Sequence, residues 1–271
     1  MIKNTIISNR VKLPQFFIKF GKKDYLLDTL YNGNIRFSPI KSYSKNTTQS
    51  NGKIEDSYDG SLYYPIECIV VAPVIKDDLN EYVTGTPRLL ADRGSMRITS
   101  HRDLLIPILS LYSFDSPSID GLVKLDNYDD VVSNFPDYDS ALIIYNPLEF
   151  IKRLENKNHI YANYVVYTDQ SPTEFDIDNQ IHSLYYKRQE YSSQREFRIV
   201  LMDDLIDEPK FITIGPITDI AHIVPINLLK KGIIAKNNEI ISKLQKFCEK
   251  QGYGVENYPN KSASLYKNCV R

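Results

Sequence analysis

The chain is poor in the residue types from which many metal and nucleophile sites are built. Its 271 residues include no tryptophan, three cysteines and four histidines. Cys68, Cys248 and Cys269 are widely spaced, without a CxxC pair or a Cys/His cluster, so a structural zinc site is not expected. An odd number of cysteines favours a reducing compartment over a disulfide framework. The histidines share no metal-ligand spacing, and we expect each to be structural or exposed.

Several common enzyme motifs are also absent. No GxxxxGK[ST] loop is present, which disfavours a P-loop NTPase, and GxGxxG, HExxH and GxSxG are missing too. A formal net charge of −1 gives no global electrostatic reason to expect nucleic acid or an anionic membrane as partner. The longest apolar run, at 68–75, is too short to span a bilayer, and residues 1–5 lack the apolar core of a signal peptide. We therefore expect a cytoplasmic protein with no membrane partner.

What is present is a series of short apolar segments separated by turn residues, which predicts one α+β domain over residues 1–271. Strands are predicted at 16–20, 35–38, 66–75, 104–114, 141–145, 160–167, 194–201, 211–214 and 220–224. Helices are predicted at 24–33, 146–154, 177–187 and 238–250, and a long surface loop at 41–61. The first helix is expected to be capped by Asp24 and closed by Gly33, and Asn146 is expected to cap the second.

The segment 186–201 carries the strongest functional signal. It begins as a polar, charged stretch and continues into a predicted strand. In that strand Phe197, Ile199 and Leu201 fall on one face and Gln194, Glu196 and Arg198 on the other. A carboxylate at a strand end can bind a ribose hydroxyl and stabilise an oxocarbenium-like cation, and an amide two residues earlier can orient an acceptor. The alternative is an exposed strand face whose polar residues pair weakly with neighbouring strands.

The chain resembles a family of uncharacterised bacterial proteins found near defence and mobile-element genes. That family begins with an aromatic/basic strand, a helix and a Gly-aromatic-Ser-Pro strand, continues with an acidic loop that ends in glycine, and closes with a Lys…Glu-x-Glu-aromatic-Arg strand. The matching segments here are 17–20, 25–30, 33–39, 56–60, and Lys187 with 194–199, where Gln194 replaces the first Glu.

This arrangement is similar to the ADP-ribosyltransferase superfamily. Its members carry a basic or polar residue on the first strand, a central serine-containing strand and a late [Gln/Glu]-x-Glu. Lys19 stands at the first position, where Arg or His is usual, with Arg36 as a nearby substitute. The Ser-Thr-Ser strand is matched only weakly, by residues 110–114 or by Phe37 and Ser38.

The resemblance implies a mixed or antiparallel split β-sheet flanked by helices, with NAD bound across it as a substrate. It also implies a role in phage–bacterium conflict, as a toxin, a defence effector or a phage modifier, with a protein or nucleic acid as acceptor. Glu196 would hold the nicotinamide ribose and Gln194 would position the acceptor. The expected cofactor-binding residues are Lys19, Arg36, Ser38, Tyr43, Tyr112 and Arg198, with Tyr43 or Tyr112 stacking on the nicotinamide.

Two other functions remain open. Twenty tyrosines favour a non-enzymatic module that binds a phage or host protein or nucleic acid, because tyrosine is common at interfaces and stacks on bases. The acidic loop 54–60 is most simply a solvated turn, yet Asp56 and Asp59 together with Glu196 could instead form a carboxylate-based metal nuclease. We therefore keep both alternatives beside the transferase.

Overall fold

In the computed structural model, the described residues are 13–43, 59–66, 69–72, 74–76, 82–84, 87–91, 94–115, 122–125, 127–133, 135–156, 158–169 and 183–234. The helix expected at 238–250 and most of the loop expected at 41–61, with Asp56, lie outside them. Among the described residues, no helix combines the length and apolarity needed to cross a membrane.

Short strands make up most of the described chain. The strands are β1 (Phe16–Gly21), β2 (Asn34–Pro39), β3 (Ser61–Ile66), β4 (Ile69–Val71), β5 (Val74–Lys76), β6 (Tyr82–Thr84), β7 (Arg88–Ala91), β8 (Gly94–Thr99), β9 (Pro107–Phe114), β10 (Leu122–Val123), β11 (Ser140–Ile144), β12 (Ile160–Tyr164), β13 (Val166–Tyr167), β14 (Tyr186–Lys187), β15 (Glu196–Leu201), β16 (Lys210–Thr213), β17 (Ala221–Pro225) and β18 (Ile233–Ile234). The α-helices are α1 (Lys23–Asn32), α2 (His101–Leu104), α3 (Tyr128–Ser133), α4 (Pro147–Glu155) and α5 (Leu228–Lys231).

The largest sheet has eight strands, and every pairing within it is antiparallel. Six strands follow in the order β12-β15-β9-β1-β11-β17, while β2 joins through β9 and carries β16 on its other side. The fold is therefore α+β with a mostly antiparallel sheet and a few helices, as expected. The prediction that the segment around 104–114 lies at the centre of the sheet is confirmed by β9.

Apolar side chains cover both faces of this sheet because its strands alternate. On one face, Phe17, Leu109 and Phe197 pack with α1 and α4. The other face carries two separate apolar clusters, one around Ile18, Tyr112 and Val224 and one around Ile40, Ile108 and Val200. Polar residues of β9 and β15 lie between these two clusters, and they form the candidate site.

Helix α1 illustrates one wrong expectation and one correct one. Its N-cap is Lys22, with no side-chain capping bond, and not Asp24, which lies in the first turn. Gly33 closes the helix in the left-handed region at φ 67°, as predicted. A Cβ at Gly33 would lie 1.8 Å from the carbonyl oxygen of Gly215, so this position excludes every side chain. Helix α4 starts as expected, because the side-chain oxygen Oδ1 of Asn146 accepts a hydrogen bond from the Glu149 N–H at 3.2 Å.

Six short strands described between Ser61 and Thr99 pair as a two-stranded antiparallel ribbon in place of the single strand expected at 66–75. Strand β3 pairs with β8, β4 with β7, and β5 with β6, so the ribbon runs outward from the Ser61–Thr99 pair to the Lys76–Tyr82 pair. The structure describes no pairing of these six strands with the main sheet. We call these six strands, β3 to β8, the ribbon.

One edge of β9 is shared by two strands that diverge. Strand β15 pairs along Ile108 to Tyr112, so β1 and β2 must occupy the opposite edge. On that edge β1 pairs with residues 112–114 and β2 with residues 107–108. On this edge, and among the strands that the structure describes, no strand pairs with residues 109–111, which lie between the two pairings. We call this stretch the opening of the sheet.

Candidate functional site

Glu196 is the first residue of β15, and the chain turns sharply just before it. Residues Gln189–Gln194 form a 3-10 segment, and Arg195 then adopts the left-handed conformation at φ 39°. Strand alternation therefore begins only at Glu196, and the expectation that Gln194 shares a strand face with Glu196 is wrong. A non-glycine residue held in this region costs roughly 1 to 3 kcal/mol, which is typical of positions fixed by their surroundings.

The register between β15 and β9 brings Arg198 beside Ser110. The Ser113 N–H donates to the Arg195 oxygen at 2.8 Å, and alternation along the ladder then makes Arg198 and Ser110 a non-hydrogen-bonded pair. Side chains in such a pair are close together, and the backbone groups of Ser110 face the other edge of β9. That edge is the opening of the sheet.

Both oxygens of the Glu196 carboxylate are engaged. Oε1 accepts from the Ser110 hydroxyl at 2.5 Å and from Arg198 Nε at 2.7 Å. Oε2 accepts from Lys187 Nζ at 2.8 Å, and the backbone N–H of Glu196 donates to the Tyr167 hydroxyl at 2.7 Å. The position of this carboxylate is therefore fixed from three directions.

Arg198 joins Glu196 to a second carboxylate. Its two terminal nitrogens bind Asp59 at 2.9 and 3.1 Å, and one of them also donates to the Leu184 carbonyl. Lys187 Nζ lies 3.7 Å from the same Asp59. We call Asp59, Lys187, Glu196 and Arg198 the charge cluster. Each of the four is at most 7% exposed, and the two positive charges balance the two negative ones.

These pairings hold Glu196, Lys187 and Arg198 in their ionised forms. Burial alone would raise the pKa of Glu196, but the adjacent Arg198 and Lys187 outweigh it and hold that pKa far below its ordinary value of 4.5. Burial likewise opposes the charge on Lys187, but the carboxylates of Glu196 and Asp59 raise its pKa. Glu196 is thus a permanent anion, suited to stabilising a cation and unsuited to donating a proton.

Lys19 lies at the opening, where a basic first-strand residue was expected. Its amine donates to the Ser110 carbonyl oxygen at 3.0 Å, on the edge of β9 that lies opposite β15 and between the pairings with β1 and β2. Burial lowers the pKa of Lys19 to about 8, opposed by Glu196 and assisted by Arg36. Lys19 therefore lies within electrostatic reach of both residues, and Arg36 is exposed to solvent.

Tyr43 and Ser38 lie on the β2 side of the same opening. Burial raises the pKa of the Tyr43 phenol, while a hydrogen bond with Ser38 opposes that rise. The same phenol is within electrostatic reach of Glu196, Arg36 and Arg198. Tyr43 is partly buried and packs against the apolar cluster around Ile40, so one aromatic ring lies near the charged groups.

Most of the residues nominated from the sequence therefore meet in space. Gln194 is off the strand, yet its side-chain oxygen accepts from Lys187 Nζ at 2.8 Å, the same amine that binds Glu196. Tyr112 is different, because its ring lies 5.9 Å from that of Phe20 in an apolar cluster and is 5% exposed. That packing leaves Tyr43 as the better-placed nominated aromatic.

The sequence did not reveal how the charge cluster is completed. Lys187 was matched to a family motif without a role, and Asp59 was considered as a metal ligand. In the structure Asp59 is bridged to Glu196 by Arg198, and Lys187 contacts both carboxylates, so cations occupy the space that a shared metal would need. Tyr167 belongs to no sequence motif that marks it as a partner of Glu196.

Comparison with known proteins gives no relative: no family model, no curated protein and no solved structure matches this chain. Its function has to be inferred from the opening of the sheet and the charge cluster.

Proposed function

We propose that the chain is an ADP-ribosyltransferase-like enzyme that uses NAD to modify a protein or nucleic acid in phage–bacterium conflict. The observation that carries the proposal is the order β15-β9-β1 in the sheet. Those three adjacent strands hold Glu196, Ser110 and Lys19, the residues that a late [Gln/Glu]-x-Glu, a central serine strand and a basic first strand would supply. The divergence of β1 and β2 along one edge of β9 is the kind of split sheet that such an enzyme needs.

The proposed roles follow from charge and position. The Glu196 carboxylate accepts a hydrogen bond from a ribose hydroxyl, which replaces one of its present donors. It also stabilises the positive charge that develops on the ribose. Lys19 and Arg36 bind the phosphates of NAD, because both are cations at the opening. Tyr43 stacks on the nicotinamide. Gln194, held by Lys187, faces the acceptor.

The reaction is a substitution at one ribose carbon. The bond from that carbon to the nicotinamide nitrogen breaks, and the bonding electrons leave with nicotinamide. A nucleophilic atom of the acceptor forms the new bond to the same carbon and releases its proton to solvent. Glu196 stays ionised throughout, which agrees with its strongly lowered pKa.

The first test is calorimetric binding of NAD, followed by assay of nicotinamide release with candidate protein and nucleic-acid acceptors. Glu196→Gln is expected to lower nicotinamide release at least about 100-fold, the usual effect of losing one electrostatic contact to a transition state. Glu190→Gln is the matched control, because Glu190 lies on the exposed side of the preceding segment and pairs with Arg188. If the wild type neither binds nor consumes NAD, the proposal is wrong.

A second test addresses the opening. Lys19→Met is expected to weaken NAD binding about tenfold through the loss of one phosphate contact. Lys152→Met on the exposed side of α4 removes the same charge away from the opening and should leave the affinity unchanged. Equal losses in the two variants would contradict the assignment of Lys19.

A non-enzymatic binding module is the second candidate, and one observation favours it. Both oxygens of Glu196 already have protein donors, which is the arrangement of a structural ion-pair network. In that case Glu196→Ala would retain a partner in a pull-down from infected cells, and no chemistry on that partner would be detected.

A further inference from the structure

The two ends of the ribbon return to the same part of the molecule, beside the charge cluster. Its first strand, β3, begins directly after Asp59 and Gly60, and its last strand, β8, ends just before helix α2. The contacts at these two ends connect the ribbon with Glu196 through very few residues.

At the first end, Asp59 itself is the connection. This carboxylate is 1% exposed and is bound by both terminal nitrogens of Arg198, whose Nε binds Glu196. Gly60 follows with φ 72°, and a Cβ there would lie 2.9 Å from Cγ2 of Ile40. The chain therefore passes from the charge cluster into β3 through a turn that tolerates no side chain.

At the second end, the connection runs through α2. Ser61 and Thr99 face each other with their hydroxyl oxygens 2.7 Å apart, which closes the base of the ribbon. Ser100 caps α2, and the buried Asp103 of that helix accepts from the Ser183 hydroxyl at 2.9 Å. Ser183 precedes Leu184, whose carbonyl accepts from Arg198.

A two-stranded ribbon has little stability of its own, so the order of its base depends on what holds it there. A buried carboxylate such as Asp59 is equally dependent, because it is tolerated only while it remains paired. Release of the base of the ribbon would therefore leave Arg198 partly unpaired, and Arg198 is one of the three groups that hold the Glu196 carboxylate.

We propose that Asp59 is a positioning residue that couples the base of the ribbon to Glu196, so that the ribbon and the site order or loosen together. The catalytic consequence rests on the function proposed above, but the coupling does not. Asp59 touches no reacting atom in this scheme, since it acts through Arg198. Because coupling between two sites is reciprocal, a change at Glu196 must also alter the local stability of β3 and β8.

The test that needs no variant is native-state hydrogen exchange of the full chain in increasing denaturant. If the coupling holds, the amides of β3 and β8 nearest to Ser61 and Thr99 should open together with the Glu196 amide, which is hydrogen-bonded to Tyr167, in one cooperative unit. If the base of the ribbon opens at lower denaturant while the Glu196 amide stays protected, the proposal is overturned.

Variants test the same coupling in both directions. Glu196→Gln should speed exchange at the base of the ribbon roughly tenfold, within the range usual for coupled sites, and Glu190→Gln should not. Asp59→Asn should weaken NAD binding by a similar factor, and Asp59→Glu, which keeps the charge, should recover part of the loss. Unchanged ribbon exchange in Glu196→Gln contradicts the proposal. A wild type that fails to bind NAD defeats only the transferase, since the exchange results decide the coupling by themselves.

Discussion

Two arginines of this protein make the same set of contacts in opposite surroundings. Arg198 binds Glu196 through Nε at 2.7 Å, hydrogen-bonds Asp59 through both terminal nitrogens, and donates to the Leu184 carbonyl. Arg153 binds Glu149 through Nε at 2.9 Å, grips Asp219 with both terminal nitrogens, and donates to the Pro216 carbonyl. In both networks the two terminal nitrogens bind one carboxylate and the Nε–H binds another.

The difference lies in burial. The side chains of Arg198, Asp59 and Glu196 are 0, 1 and 5% exposed, whereas those of Arg153, Asp219 and Glu149 are 21, 58 and 39% exposed. Water can replace a lost partner in the second network and cannot in the first. Two networks with the same contacts therefore need not stabilise the fold equally. Only the buried network around Arg198 imposes a fixed arrangement of charge on its surroundings.

The largest expected effect is the loss of the buried arginine. Arg198→Met leaves two carboxylates in the interior with Lys187 as their remaining cation, and removal of one partner of a buried ion pair costs about 3 to 5 kcal/mol. Arg153→Met removes the corresponding surface network and should cost at most about 1 kcal/mol. Chemical denaturation of both variants measures the two losses. Similar losses would show that burial is not what distinguishes the networks.

His222 is a buried titratable residue whose environment differs from that of both arginines. Both ring nitrogens of His222 lack a hydrogen-bond partner among the described residues, and burial lowers the pKa of His222 from 6.5 to about 4. Between those pH values the unfolded chain binds the proton and the folded chain does not, so stability falls as the pH is lowered from 6.5, by up to about 3 kcal/mol.

His222→Leu should therefore flatten the pH dependence of the unfolding free energy between pH 6.5 and 4, and at pH 7.5 it should be neutral or stabilising. His159→Leu, which removes the same ring from an exposed position, is the control. Denaturation midpoints across that pH range distinguish the two variants. A steep dependence retained in His222→Leu would place its source elsewhere.

A smaller effect separates charge from geometry. Arg198→Lys keeps the positive charge but cannot reproduce the fork, so one or more buried acceptors lose a donor at a cost of about 1 to 3 kcal/mol. Arg153→Lys should be nearly neutral, because water supplies the missing hydrogen bonds. Thermal unfolding of the two variants measures the contrast, and a neutral Arg198→Lys would show that charge alone holds the charge cluster together.

The smallest expected effect concerns salt. Asp219→Asn should lower stability by less than about 1 kcal/mol, and the loss should shrink further in high salt because ions screen exposed pairs. The corresponding loss in Asp59→Asn should hardly depend on salt. Denaturation at low and high ionic strength tests both statements, and a salt-sensitive Asp59→Asn would mean that water reaches the charge cluster.

The sequence predicted local features well where local chemistry is sufficient. Gly33 ends α1 and Asn146 begins α4 because left-handed closure and side-chain capping depend on a few neighbouring residues. It failed where distant contacts override local pattern. Asp24 was expected as a cap but lies inside the helix, and Gln194 was expected on the strand but is turned away by the left-handed Arg195.

The candidate site shows the same division. Glu196, Lys19, Arg36, Ser38 and Tyr43 were nominated from residue type and motif order, and the structure brings Glu196 and Arg36 within electrostatic reach of both Lys19 and Tyr43, with Ser38 hydrogen-bonded to Tyr43. The partners of Glu196 could not be inferred, since Asp59 and Ser110 are far from it along the chain and nothing local specifies the pairing. Tyr112 was nominated to stack on the nicotinamide, but its ring packs against Phe20 in an apolar cluster.

From the sequence alone, most strands of the main sheet, the glycine that ends α1 and the asparagine that begins α4 could be predicted, and the strand that carries Glu196 was expected to begin at Gln194, before its actual start. Only the tertiary structure decided that Asp59, at the base of the ribbon, is paired with Arg198, and that Ser110 and Lys187 hold the Glu196 carboxylate. The physical reason is that strand alternation and capping act over a few residues. A buried charge, by contrast, must find its partner wherever the folded chain brings one within hydrogen-bonding distance.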